Sequence, residues 1–196
     1  MRVIEFLGMP RSGKTTAIEV AEGYLKREGV KVRVIYEGAR VSPLDKSDRY
    51  NYHSWSFHNT VNRILEARLD NYDFILVDRG VLDHAAFLKA IKPLCAGKDL
   101  QPALEYYLGF LNLQDRELFF DVSPEESIRR EQKNKPFVGR VFNLPFLQGL
   151  SESYDSVVSY AESCGRDIHR INGNGKLKSN LEIVLELCSG LLKAGK

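Results

Sequence analysis

The chain has 196 residues, 43% of them hydrophobic, and carries 28 basic against 26 acidic side chains for a net charge of +2. That length and apolar content fit a single domain, residues 1–196, around one substantial core. The near balance of charge, without a basic tail or long charge run, excludes a protein whose main work is neutralising a nucleic-acid backbone, so a long nucleic acid is not the expected partner. Five residues separate Met1-Arg2 from a glycine at position 8, too few for a signal peptide, and no stretch approaches the roughly 20 apolar residues of a membrane span. The expectation is a soluble, cytoplasmic protein with no membrane partner.

The predicted elements alternate strand and helix, the pattern of βαβ units on a mostly parallel sheet. Residues 3–7 predict a first strand that runs into GMPRSGKTT, residues 8–16. From 13 to about 28, Ala17, Val20, Ala21, Tyr24 and Leu25 recur at spacings of three and four, and Gly29 is a natural helix stop. Residues 31–36 predict the second strand. Residues 38–52 are polar, contain Pro43, and read as a surface loop over one end of the sheet. Phe57, Val61, Ile64, Leu65 and Leu69 mark a second helix, with the third strand at 74–77 and the fourth at 118–122. Ser123-Pro124-Glu125-Glu126 then reads as a capping box, starting a helix that runs to about 132. RREQKNKPFVGRVFNLPF, residues 129–146, joins a basic cluster to Pro136, Gly139 and Pro145; it reads as a helix end, a mobile loop and a restart. Residues 167–171 predict the fifth strand. No internal repeat or low-complexity tract is present.

The three cysteines, Cys95, Cys164 and Cys188, are far apart and form no CxxC pair, so neither a disulfide framework nor a cysteine zinc site is expected. His53 and His58 are five apart, off the i,i+4 face of a helix, and His84 and His169 stand alone. Packing or surface roles are expected for all four rather than metal ligation.

GMPRSGKTT fits the phosphate-loop pattern G-x-x-x-x-G-K-[ST], and it lies between a predicted strand and a predicted helix, as its mechanism requires. Gly8 and Gly13 permit a tight turn whose backbone N–H groups point at phosphate oxygens, Lys14 reaches the outer phosphates, and the Thr15 hydroxyl can bind Mg²⁺. The nucleotide-binding set is Gly8, Pro10, Arg11, Ser12, Gly13, Lys14, Thr15 and Thr16. A second signal is YDFILVDRG, in which a buried strand delivers Asp78 to the carboxyl edge of the sheet, where open α/β folds bind ligands. There Asp78 can hold Mg²⁺ through water or orient an attacking group.

The loop with its internal Arg11, the Asp78-Arg79-Gly80 after the third strand and the basic segment after the fourth resemble the thymidylate kinase and deoxynucleoside kinase group of P-loop kinases. The resemblance covers most of the chain in order and spacing, though its motifs are short. It implies a three-layer α/β fold with a five-stranded parallel sheet flanked by helices, a basic lid at about 129–146, ATP and Mg²⁺ as cofactors, and a small nucleoside or nucleotide acceptor. It also implies a homodimer, for which no interface pattern is readable. Arg79 would bind the acceptor or the transferring phosphoryl group, and Asp78 would serve Mg²⁺ or the acceptor. Glu37 stands where deoxynucleoside kinases place a glutamate that takes the proton of a sugar hydroxyl; a solvated loop acid explains it equally well. Lid cations would close over the moving charge, with Arg130 and Arg140 preferred over Arg129 and Lys133. Arg11 would stabilise the moving phosphoryl group from below. Trp55 is the candidate for stacking on a base; Phe57 also occupies that region but lies on the apolar stripe, which favours the core. Residues 171–176, INGNGK, would wrap the adenine, or form a plain turn.

These readings make the chain an ATP- and Mg²⁺-dependent kinase of a nucleoside or nucleoside monophosphate. The alternatives are a kinase of another small-molecule or polynucleotide hydroxyl, and a regulatory nucleotide-binding protein with little catalysis. A GTPase is disfavoured, because Asn134-Lys135 lacks the aspartate of the guanine-reading pattern.

Overall fold

The computed structural model describes residues 1–38, 41–95, 97–134 and 143–194. Five strands, β1 (Arg2–Gly8), β2 (Val32–Ile35), β3 (Phe74–Asp78), β4 (Arg116–Asp121) and β5 (Ile168–Asn172), form one parallel sheet in the order β2-β3-β1-β4-β5. The central strands are buried on both faces and therefore read as continuous apolar runs. Their side chains still alternate. Ile4, Phe6, Leu76, Leu118 and Phe120 pack under α1 (Lys14–Arg27) and α7 (Leu177–Lys193). Leu7 and Phe119 pack under α3 (Val81–Ile91) and α6 (Leu144–Ser163), while Val3 and Val77 meet α2 (Arg49–Leu69). This is the three-layer α/β fold expected from the sequence. The chain runs from β1 out to β2, back to β3, and then across to β4, so the carboxyl end of β1 lies at the point where the strand order reverses, the usual ligand position in such sheets.

Two local expectations change. α2 begins at Arg49, with Asp48 Oδ1 capping the Asn51 N–H at 3.3 Å, so the end of the predicted surface loop is already helical. Trp55 and Phe57 consequently fall in the second and third turns rather than at the start. The capping box of α5 (Pro124–Asn134) is only half made: the Glu126 N–H donates to Ser123 Oγ at 3.3 Å, but the Ser123 N–H goes to Asn174 Oδ1 at 3.1 Å. Glu126 instead accepts from Arg129 and Arg130. The restart expected near Pro145 is α6, capped by Asn143, whose Oδ1 accepts the Phe146 N–H at 2.9 Å. Residues 135–142 between α5 and α6, including the centre of the expected lid and Arg140, lie outside the described residues.

One buried acid ties the sheet to α3. Glu5 is wholly buried and accepts the N–H groups of Leu82 at 3.2 Å and Asp83 at 2.9 Å, donors that a helix start leaves unpaired. Burial pushes its carboxyl from 4.5 up to about 8. The folded state then binds this proton more tightly than the unfolded chain does, so the stability it confers is full below about pH 4.5 and is lost as pH rises toward 8. Glu5→Gln, which keeps the acceptor oxygen, is expected to flatten that decline, which cannot exceed about 1.4 kcal/mol per pH unit. Denaturant unfolding of both proteins from pH 5 to 8 measures it; parallel curves would contradict the assignment.

Candidate active site

At the end of β1 the chain must turn within van der Waals contact of β4. Gly8 has φ +135°, and a Cβ there would sit 2.4 Å from the Phe120 carbonyl oxygen, so no other residue fits. The turn ends at Gly13, φ +98°, and α1 starts at Lys14, which aims the free N–H groups of the helix at the loop's interior. Lys14 is 5% exposed; its Nζ donates to the carbonyls of Gly8 at 2.8 Å and Met9 at 2.9 Å and to Ser12 Oγ at 3.2 Å. Burial, then the Arg79 charge, lower its amine to about 8. Thr15 Oγ1 donates to Asp78 Oδ2 at 3.1 Å, joining the first turn of α1 to the end of β3.

The other oxygen, Asp78 Oδ1, is buried without a hydrogen-bond partner among the described residues. An orphaned carboxylate oxygen beside a threonine hydroxyl suits a hard divalent cation. Among the described residues no three acidic, histidine or cysteine side chains converge on a metal-sized site. Mg²⁺ would therefore be held by Thr15 and Asp78, with phosphate and water oxygens completing its shell.

Arg79 follows Asp78 in the left-handed region, φ 67°, a conformation that non-glycine residues rarely adopt and that concentrates at functional sites. Its side chain is fixed on three sides. Nη1 donates to Asp83 Oδ2 at 2.7 Å, Nε lies 3.2 Å from Glu37 Oε2, and Cζ sits 4.8 Å above the Phe87 ring. Burial alone would weaken its hold on the proton, but Asp83 and then Glu37 outweigh that and keep it firmly charged. Glu37, just past β2, has a side chain 30% exposed, whereas that of Asp83 on α3 is 1% exposed. Asp83 Oδ1 in turn accepts the Gly8 N–H at 3.1 Å and the Tyr154 hydroxyl at 2.7 Å. Burial is more than offset by Arg79 and Lys14, and Asp83 stays ionised.

On the opposite side of the loop lies α5. Arg11, at φ 59°, pairs through Nε with Glu131, a carboxylate only 2% exposed. Arg130 lies inside α5, not at its end; Nε bonds Glu126 at 2.6 Å, Nη1 bonds the Arg11 carbonyl at 3.1 Å, and Nη2 bonds the Gly173 carbonyl at 2.7 Å. Ser127 Oγ donates to the Pro10 carbonyl at 2.7 Å. Arg129 is 62% exposed, is held by both oxygens of Glu126, and lines the mouth of the cleft between α5 and the loop. A cleft of about 360 Å³ opens between Ser12, Gly13 and Thr16 of the loop, Arg130 of α5, and Gly173-Asn174 of the turn after β5.

The aromatic candidates separate. Phe57 is wholly buried, its ring stacked on Tyr107 at 3.6 Å with the planes 7° apart, a core residue whose face is already covered. Trp55 is half-buried on α2. His53 and His84, far apart in sequence, meet with ring centroids 5.2 Å apart. Burial drives both toward the neutral form, to about 4 and about 3. The three cysteines are free thiols, and burial pushes Cys188 up to about 12.

Asp83, Tyr154 and Glu131 were not singled out from the sequence. Asp83 carries a signal, since it stands four residues after Arg79 at the start of a helix, the spacing of an i,i+4 ion pair. Tyr154 and Glu131 reach the loop only through the fold.

The fold has solved counterparts. A deoxyadenosine kinase from M. mycoides with the products dCMP and a flexible dCDP bound superposes at a TM-score of 0.70 and 17% identity, covering 96% of this chain and 99% of the other. The same enzyme from M. mycoides with bound dATP gives 0.68, 17%, 95% and 99%, and with bound dCTP 0.63, 18%, 96% and 99%. No protein-family model matches the sequence, and no curated protein does. The chain thus shares the α/β fold of these deoxyadenosine kinase structures over nearly its whole length, with a five-stranded parallel sheet between helices.

Proposed function

We propose that the protein is an ATP- and Mg²⁺-dependent phosphotransferase whose acceptor is the hydroxyl of a nucleoside. The observation that carries this reading is the double neutralisation of Arg79 by Asp83 and Glu37. Both carboxylates hold the guanidinium, so its positive charge is already matched before any acceptor arrives. A phosphate acceptor would bring further negative charge against an already acidic surround, an arrangement that disfavours it. A neutral hydroxyl meets no such cost, and Glu37 is a partly exposed carboxylate beside the arginine able to accept its proton. The likeness to deoxyadenosine kinase structures supports the same class of acceptor.

Each residue then has a task. The loop amides and Lys14 hold the donor phosphates, and α1 adds its positive end. Mg²⁺ on Thr15 and Asp78 would neutralise charge on those phosphates. Arg79 faces the charge that spreads over the transferring group, while Glu37 takes the acceptor proton as the new P–O bond forms and the bond to the leaving oxygen breaks. Arg130 joins the loop, α5 and the turn after β5 around the cleft, which suits the donor base. Arg11 contributes from the loop, steered by Glu131. Arg11→Ala is expected to lower kcat about ten-fold while changing the Kd of Mg-ATP by less than about two-fold; a loss confined to affinity would count against the role.

The decisive experiment is ADP release from Mg-ATP in the presence of a panel of ribo- and deoxynucleosides and their 5′-monophosphates. Stimulation by nucleosides is expected. A chain that binds Mg-ATP yet responds to no acceptor would instead be a regulatory nucleotide-binding protein.

A further inference from the structure

Tyr154 belongs to α6, yet its buried hydroxyl lies 2.8 Å from the Gly8 carbonyl oxygen and 2.7 Å from Asp83 Oδ1. A phenol has one proton to donate, so the two acceptors compete for it. Each is also tied to a different half of the site. The Gly8 carbonyl receives Lys14 Nζ at 2.8 Å, and Asp83 holds Arg79 through its other oxygen at 2.7 Å. One rotatable O–H therefore stands between the phosphate-binding lysine and the arginine.

With Lys14 on the Gly8 carbonyl, the phenol donates to the ionised Asp83, where the hydrogen bond is charge-assisted. Holding a donor phosphate draws the Lys14 ammonium off that carbonyl. The Gly8 carbonyl then loses the lysine's hydrogen bond, and Tyr154 can replace it by rotating. Asp83, no longer accepting from the phenol, interacts more strongly with Arg79. We propose that Tyr154 and Asp83 are positioning residues that couple occupancy of the phosphate loop to the fixing of Arg79. The proposal rests on the reading of the loop as a nucleotide site, and it needs no acceptor.

A double-mutant cycle tests it. The Kd of Mg-AMP-PNP is measured by calorimetry for the full chain, Arg79→Ala, Tyr154→Phe and the double variant, with thermal unfolding of each as a check on folding. Arg79→Ala is expected to change the Kd about five-fold or more in the Tyr154 background, and by less than about two-fold once Phe stands at 154. A role in packing alone would leave the two changes equal, and equal changes in folded proteins overturn the proposal. Should Tyr154→Phe not fold, the same cycle with Asp83→Asn decides: there too the coupling must collapse. A wild-type chain that binds no Mg-AMP-PNP overturns the proposal together with the nucleotide-site reading; tight binding with additive effects overturns the proposal alone.

Discussion

Glu37→Gln is expected to reduce acceptor-dependent turnover roughly 100-fold or more, the usual worth of a general base, and to leave the Kd of Mg-ATP nearly unchanged. The reason is local. Glu37 is outside the phosphate loop and, among the described residues, pairs with Arg79 at 3.2 Å, and Asp83 still holds that guanidinium at 2.7 Å after the substitution. The amide cannot accept a proton from a hydroxyl but keeps the side chain's shape. Steady-state kinetics with a stimulating nucleoside, alongside nucleotide titration, separates the two quantities. Turnover within a few-fold of wild type would reduce Glu37 to an ion-pair partner of Arg79.

Lys14→Ala should be more damaging still, with turnover down at least about 1,000-fold and Mg-ATP binding weakened together, because one side chain serves both the ground state and the moving charge. The structure adds a second cost. Three acceptors inside the loop, two carbonyls and the Ser12 hydroxyl, lose their shared donor, and buried acceptors left unpaired are expensive. Nucleotide titration and single-turnover kinetics measure the two effects. Retained turnover with only weaker binding would mean that Lys14 holds the donor without acting on the transferred group.

The sheet was legible because its central strands are apolar on both faces and short, a pattern that few other structures satisfy. α1 and the start of α5 were legible from periodicity and capping chemistry. α3 was not, because residues such as Leu82, Ala85, Ala86 and Leu88 are buried all round it and leave no polar face to set a period. The start of α2 was hidden for the opposite reason: its first turn is polar and held by Asp48, which in sequence looks like more loop. Ser123 half-obeyed its motif, since Asn174, 51 positions away, took the N–H that Glu126 was expected to receive.

The site divides in the same way. The loop, Asp78 and Arg79 announce themselves by short motifs at strand ends. Phe57, which shares the region of the stacking candidate but lies on the apolar stripe, is covered by Tyr107. Arg11 and Arg130, read as cations for the transferring phosphoryl group, are both engaged in bonds between the loop and α5. Glu131 and Tyr154 could not be read at all, because an ion pair 120 residues long and a hydrogen bond 146 residues long have no local signature.

The identity of the product tests the central claim most directly. ³¹P NMR of the reaction of Mg-ATP with a stimulating nucleoside or its monophosphate distinguishes a phosphate monoester from a new phosphoanhydride. The charge around Arg79 predicts a nucleoside monophosphate as the product, formed from the nucleoside. A nucleoside diphosphate made from the monophosphate, with the nucleoside inert, would contradict it.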